Sequence, residues 1–235
     1  MVCPCCSTEM TAIAVDARSG TPLNIDLCPA SRAIWFDRYE DLQLSPAATL
    51  KVFGIIGERS NAAAAPWPGR IGCPRCGAGL LHTHDIQRNT RFQYWRCDAG
   101  HGRLMSFIDF LRAKDFVKPL TSQQIAELRE NVQTINCSNC GGAIDLAKDT
   151  VCTHCGSAVS MLDLKQMAKT IGQLQAAAAG PQAIADAEAA KAAAPPRGAD
   201  LDALIAAIRA RGGSDSPSLI ETGFSMLGDL LRMRF

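Results

Sequence analysis

Much of what marks a catalytic or membrane protein is scarce in this chain. Its 235 residues include only four histidines, two tyrosines and three tryptophans, and the formal net charge is +1. A pool of four imidazoles leaves few general bases, and no phosphate loop, nucleotide-binding glycine pattern or Ser-His-Asp grouping occurs. The expectation is therefore a protein that is not an enzyme, with no catalytic or organic-cofactor residues. No apolar run approaches the ~20 residues of a membrane-spanning helix. A charge near zero selects no partner by whole-molecule attraction. The opening Met1-Val2-Cys3-Pro4-Cys5-Cys6 lacks the basic flank and apolar stretch of a secretory signal. A cytoplasmic, reducing location follows as the expectation, and with it thiolates that ligate metal rather than pair as disulfides.

What the chain does have is eleven cysteines in tight clusters. The most regular is Cys137-Ser138-Asn139-Cys140 followed, after eleven residues, by Cys152-Thr153-His154-Cys155. A Cys-x-x-Cys turn aims two sulfurs at one ion, and the glycine after each pair (Gly141, Gly156) suits a left-handed final residue. Four thiolates from two such turns make a closed tetrahedral site for zinc; iron accepts the same ligands. Upstream, Cys73-Pro74-Arg75-Cys76 and Cys97-Asp98-Ala99-Gly100-His101 supply three thiolates and an imidazole, a second closed set. His82 and His84 offer an alternative fourth ligand, but alternation along a strand puts both on one face as exposed polar residues.

The first cluster is less complete. Cys3-Pro4-Cys5-Cys6 is followed by Cys28-Pro29-Ala30-Ser31 and by Ile34-Trp35-Phe36-Asp37 leading into Glu40-Asp41-Leu42. Over residues 1–44 this resembles the transcription-factor-IIB-type zinc ribbon, whose pattern is a Cys-Pro-x-Cys knuckle, a hairpin, a second Cys-Pro-x-Cys and a Trp-apolar-Asp segment entering a helix. The resemblance implies a zinc ligated by Cys3, Cys6 and Cys28, but its fourth cysteine falls on Ser31, and a serine hydroxyl is a poor zinc ligand. Cys5, a side chain such as Asp37, or a water completes the shell, or the ribbon holds no metal. Residues 71–102 and 137–156 resemble generic zinc ribbons.

The fold class expected is α+β: tandem small zinc-ribbon modules with an alanine-rich helical C-terminal tail. The modules run 1–44, 71–118 and 137–160, separated by a linker at 45–70 and a connecting helix at 119–136, with the tail at 161–235. Helices are expected at 35–44, 106–114 and 122–133, the last opened by a Thr121/Gln124 capping box. A strand is expected at 91–95. In the tail, Pro195-Pro196 and Gly212-Gly213 bracket a helix bearing Leu201, Leu204, Ile205 and Ile208, and a further apolar helical stripe runs from 217 to 235.

Two or three Zn2+ ions are thus the expected cofactors. The function expected is that of a zinc-binding adaptor or regulator, with a protein partner engaged through the C-terminal helices or the zinc modules. Residues 70–118 hold nine Lys and Arg against four Asp and Glu. Nucleic-acid binding through Arg88, Arg91, Arg96, Arg103 and Arg112, interleaved with aromatics, is the alternative. A zinc-containing subunit of an enzyme complex is the third reading.

Overall fold

The computed structural model describes residues 1–59, 67–87, 90–139, 141–154, 156–163, 165–167, 169, 172, 199–211, 218–220 and 222–223. The chain forms two compact units, Met1–Lys114 and Asp115–Phe235. Both strands and helices are present, so the chain is α+β.

In the first unit, strands β1 (Thr11–Asp16), β2 (Pro22–Cys28) and β3 (Ala33–Asp37) form one antiparallel half. Strands β4 (Leu81–Gln87), β5 (Thr90–Arg96) and β6 (Gly102–Ser106) form the other. The two halves join where β3 pairs antiparallel with β6, Trp35 opposite Leu104, giving one six-stranded sheet in the order β1-β2-β3-β6-β5-β4. The two cysteine segments expected as separate modules therefore share a sheet.

Strand β3 sits at the centre. Its run Ile34-Trp35-Phe36 is fully buried, and Phe36 stacks on Phe110 at 5.8 Å. A strand covered on both faces needs such a contiguous apolar run. This corrects the helix expected at 35–44: the helical part is only α1 (Glu40–Gln43), entered through Tyr39 in a left-handed conformation.

The linker expected at 45–70 contains a fourteen-residue helix, α2 (Pro46–Arg59). Ser45 caps it, its Oγ accepting from the Ala48 amide at 3.0 Å, and Pro46 follows at the first helical position, where no amide is needed. Val52, Phe53 and Ile56 are buried, and Lys51 donates to the Ala14 carbonyl at the outer edge of β1. Helix α3 (Phe107–Ala113) matches the expected 106–114, with Ser106 as its cap.

In the second unit β7 (Val117–Pro119) pairs with β10 (Ser160–Leu162), and β8 (Thr134–Asn136) with β9 (Ala143–Asp145). Helix α4 (Ser122–Arg129) opens with the expected Thr121/Gln124 capping box and ends four residues early. Helix α5 (Ala199–Arg211) lies where the tail prolines and glycines bracket it, and it buries Leu201, Leu204 and Ile205 against Leu128, Ile135, Ile144 and Leu146. Ile208 is partly buried against the same core. The alanine-rich stretch at 173–198 and the final helix from 224 onward lie outside the described residues. Among the described residues no helix is long and apolar enough to cross a membrane.

Candidate metal centres

Each cysteine turn is built by the same backbone bonds. In the first, the Cys3 amide donates to the Thr8 carbonyl and the Ser7 amide to the Cys3 carbonyl. In the second, Cys73 donates to Ala78 and Gly77 to Cys73. The pattern recurs at Cys137 with Gly142 and Gly141, and at Cys152 with Ser157 and Gly156. The residue closing each turn is left-handed: Gly77, Gly141 and Gly156 at φ +74°, +76° and +70°, and Ser7 at φ 59°.

At the second cluster the ligand atoms of Cys73, Cys76, Cys97 and His101 all lie within 4.8 Å of one another. Cys76 Sγ is 3.7 Å from Cys97 Sγ, and His101 Nδ1 is 3.5 Å from Cys97 Sγ and 3.9 Å from Cys73 Sγ. Zinc at ~2.3 Å from each sulfur in a tetrahedron sets sulfurs about 3.8 Å apart. The set fits such an ion without rearrangement. Cys73 and Cys97 are buried while Cys76 and His101 are exposed. Burial pushes the Cys73 thiol up, with the Arg75 and Cys76 amides opposing it. Burial acts on Cys97 too, but the His101 and Ala99 amides and the neighbouring thiols outweigh it and bring that thiol down to about 6.

The first cluster brings together Cys3, Cys6 and Cys28, whose sulfurs also lie within 4.8 Å of one another. Cys6 Sγ is 3.5 Å from Cys28 Sγ. Ser31 Oγ stands buried 3.2 Å from Cys3 Sγ. Thr8 Oγ1 lies 3.0 Å from Cys6 Sγ and 3.3 Å from Cys28 Sγ. A hydrogen bond from the Cys5 thiol, helped against burial by Ser31 and backbone amides, draws the Cys3 thiol down to about 4 and pushes Cys5 itself up.

Of the candidates for the fourth place, neither Cys5 nor Asp37 joins the converging set. The Asp37 carboxylate is taken by Trp35 Nε1 at 2.8 Å and by the Arg75 guanidinium. Three thiolates therefore fit a metal at this site, and no fourth His, Cys, Asp or Glu among the described residues joins them. The sequence reading missed Thr8 and Trp67; the latter's Nε1 donates to the Ser31 carbonyl at 2.7 Å. Thr8 reaches Cys28 and Trp67 reaches Ser31 from far along the chain, with no spacing signature to reveal either contact.

In the third cluster Cys137 and Cys152 are buried in one apolar core, and Cys140 and Cys155 lie outside the described residues. His82 and His84 take no part in the second cluster. Their rings meet at a tilt of 54° with centroids 4.4 Å apart, and His82 lies flat on Trp95 at 4.6 Å while bonding Gln93.

The expected nucleic-acid arginines divide. Arg112 is buried and paired with Asp109, where removing either partner would leave the other's charge uncompensated. Arg103 is largely buried, bonded to Asp41 and lying over Tyr94. Arg96 pairs with Asp98 at the surface, Arg91 is exposed, and Arg88 lies outside the described residues. Comparison with protein-family models, with curated proteins and with solved structures finds no match to this chain.

Proposed function

We propose that this protein is a zinc-binding adaptor, in which metal fixes small ribbon modules into a platform for a protein partner. The observation that carries the reading is the convergence of Cys73, Cys76, Cys97 and His101 on one point beside a shared sheet. A closed set of this kind serves structure, since all four positions around the ion are occupied by protein. The zinc-ribbon resemblance of residues 1–44, 71–102 and 137–156 agrees with it, as do the four turns of identical bonding.

Support for a protein partner comes from the two sheet edges. Lys51 reaches the carbonyl side of β1, whereas β4 pairs only with β5 among the described residues. Strand β4 leaves Leu81 and Ile86 43% and 57% exposed on opposite faces. An open edge with apolar side chains suits strand addition by a peptide. Loss of Arg112 and Arg103 to internal pairs leaves nucleic acid as the weaker reading.

Elemental analysis of native protein tests the metal, with at least two zincs per chain expected. Chelation should then abolish the near-ultraviolet signal of Trp67 and Trp95, which pack with Cys73 and Cys97. Protein free of zinc and iron that keeps this signal in strong chelator ends the proposal. For the partner, a bound protein should be lost on Leu81→Glu with Ile86→Glu while the zinc content holds. If short RNA or DNA instead raises anisotropy with a steep salt dependence, the nucleic-acid reading replaces it.

A further inference from the structure

The two halves of the six-stranded sheet allow a position-by-position comparison, because the same backbone bonds mark equivalent residues. The Met10 amide donates to the Met1 carbonyl as the Leu80 amide does to the Ile71 carbonyl. The Cys5 amide lies 3.4 Å from Cys3 Sγ as the Arg75 amide does from Cys73 Sγ. Met1 and Met10 thus stand where the second half has Ile71 and Leu80, and Cys5 stands where it has Arg75. Beside Cys73 Sγ stands the ligand nitrogen of His101, at 3.9 Å, whereas beside Cys3 Sγ stands the hydroxyl of Ser31, at 3.2 Å.

These differences share one direction. The first cluster loses a nitrogen ligand and gains sulfur: Cys3, Cys28 and Met10 are buried in one apolar cluster against which Met1, Cys5 and Cys6 pack. Neutral hydroxyls are weak zinc ligands but good donors to thiolates, and both Ser31 and Thr8 lie within bonding distance of the converging sulfurs. Ser31 is held in that role by the bond from Trp67 to its carbonyl. Zinc favours a closed tetrahedron of nitrogen and sulfur, whereas thiolate and thioether sulfur selects monovalent copper. Copper in that state is content with three sulfurs and needs no fourth ligand.

We propose that Cys3, Cys6 and Cys28 form a three-thiolate site for a soft monovalent ion, copper(I), with Ser31 and Thr8 donating hydrogen bonds to the sulfurs rather than ligating. The proposal rests on the reading of these turns as metal-bearing, and it separates the first site from the zinc of the second. The excess negative charge of three thiolates on a monovalent ion is spread by the two hydroxyls and by the Cys5 amide.

The test uses the full chain, zinc-loaded and kept anaerobic, titrated with copper(I) from a bicinchoninate buffer while released zinc is followed with a chromophoric chelator. One equivalent of copper should enter without zinc release, and copper X-ray absorption should show three sulfur neighbours. Cys28→Ser and, separately, the part-exposed Cys6→Ser should lose the copper yet keep the zinc count of the parent, which reports that each variant folds. Ser31→Cys should instead raise the zinc count by one. Copper that enters only in exchange for equal zinc, copper retained by both serine variants, or a parent whose first site already holds zinc overturns the inference. Any of these leaves the zinc platform standing, whereas a parent with no zinc at all removes that platform as well.

Discussion

The Arg75 guanidinium grips the Asp37 carboxylate through two bonds, Nε to Oδ1 at 3.2 Å and Nη2 to Oδ2 at 2.6 Å, tying the second cysteine turn to the end of β3. Asp37 Oδ1 also accepts from Trp35 Nε1, whose side chain is fully buried. The two partners are therefore unequal. Arg75→Ala removes a half-exposed ion pair and should cost about 0.2–1 kcal/mol, less at high salt. Asp37→Ala also strands the buried indole donor and should cost about 1–3 kcal/mol with little salt dependence. Denaturant midpoints of the metal-loaded variants at two salt concentrations separate these; equal losses would mean the indole bond contributes nothing.

Gly102 lies opposite Asp37 where β6 meets β3. Its φ is +156°, and a Cβ there would come within 2.2 Å of the Phe36 carbonyl oxygen and 2.8 Å of Trp35. Neither the backbone nor the central tryptophan can yield. Gly102→Ala should cost about 3 kcal/mol or more, combining forbidden backbone geometry with overpacking. Gly79→Ala, with nothing within 4 Å of the added carbon, should change stability by less than ~0.5 kcal/mol. Thermal unfolding of the pair measures the contrast, and similar melting points would refute the clash.

The left-handed position that closes each cysteine turn is glycine three times and serine once. A side chain in that conformation costs ~1–2 kcal/mol, of which glycine's greater freedom in the unfolded chain returns part. Ser7→Gly should accordingly stabilise the first unit by about 0.5–1 kcal/mol, and Gly77→Ala should destabilise it by about as much. Opposite signs in paired denaturant titrations are the expected result. A loss on Ser7→Gly would show that the serine side chain makes a contact worth more than the backbone strain.

Local chemistry made much of this legible beforehand. The spacing of Cys73, Cys76, Cys97 and His101 signals a shared ligand set because the turn that aims two sulfurs is encoded in four residues. Thr121 with Gln124, and the bracketed helix at 199–211, were likewise readable from neighbours in sequence. What could not be read depends on distant pairing. The fusion of two cysteine units into one sheet rests on β3 meeting β6, some seventy residues apart, and Ile34-Trp35-Phe36 carries no period that distinguishes a central strand from a buried helix. Helix α2 was concealed by the alanines and prolines further along, although Ser45-Pro46 is a start signal. Arg112 looked available because its partner Asp109 was read as one acidic residue in a basic stretch.

That buried pair gives the sharpest energetic expectation. Asp109 is fully buried: its Oδ2 accepts from Ser106 Oγ at 2.6 Å, and its Oδ1 accepts from the Gln93 amide and from Arg112, each at 3.3 Å. Asp109→Ala leaves the Arg112 charge uncompensated beneath the sheet and should cost ~3–5 kcal/mol. Replacing both, with Arg112→Leu, should recover most of that loss, since no charge is then left to desolvate. Burial pushes the Asp109 carboxyl up more strongly than Arg112 and the Ser106 hydroxyl draw it down. A raised value in the folded protein means the native state holds its proton longer than the unfolded chain. The contribution of Asp109 is therefore complete below the ordinary aspartate range, near ~3.9, and declines as pH climbs through the folded value. The stability of the parent relative to Asp109→Asn should fall with rising pH across that window; a difference that rises with pH would mean the pairing outweighs the burial.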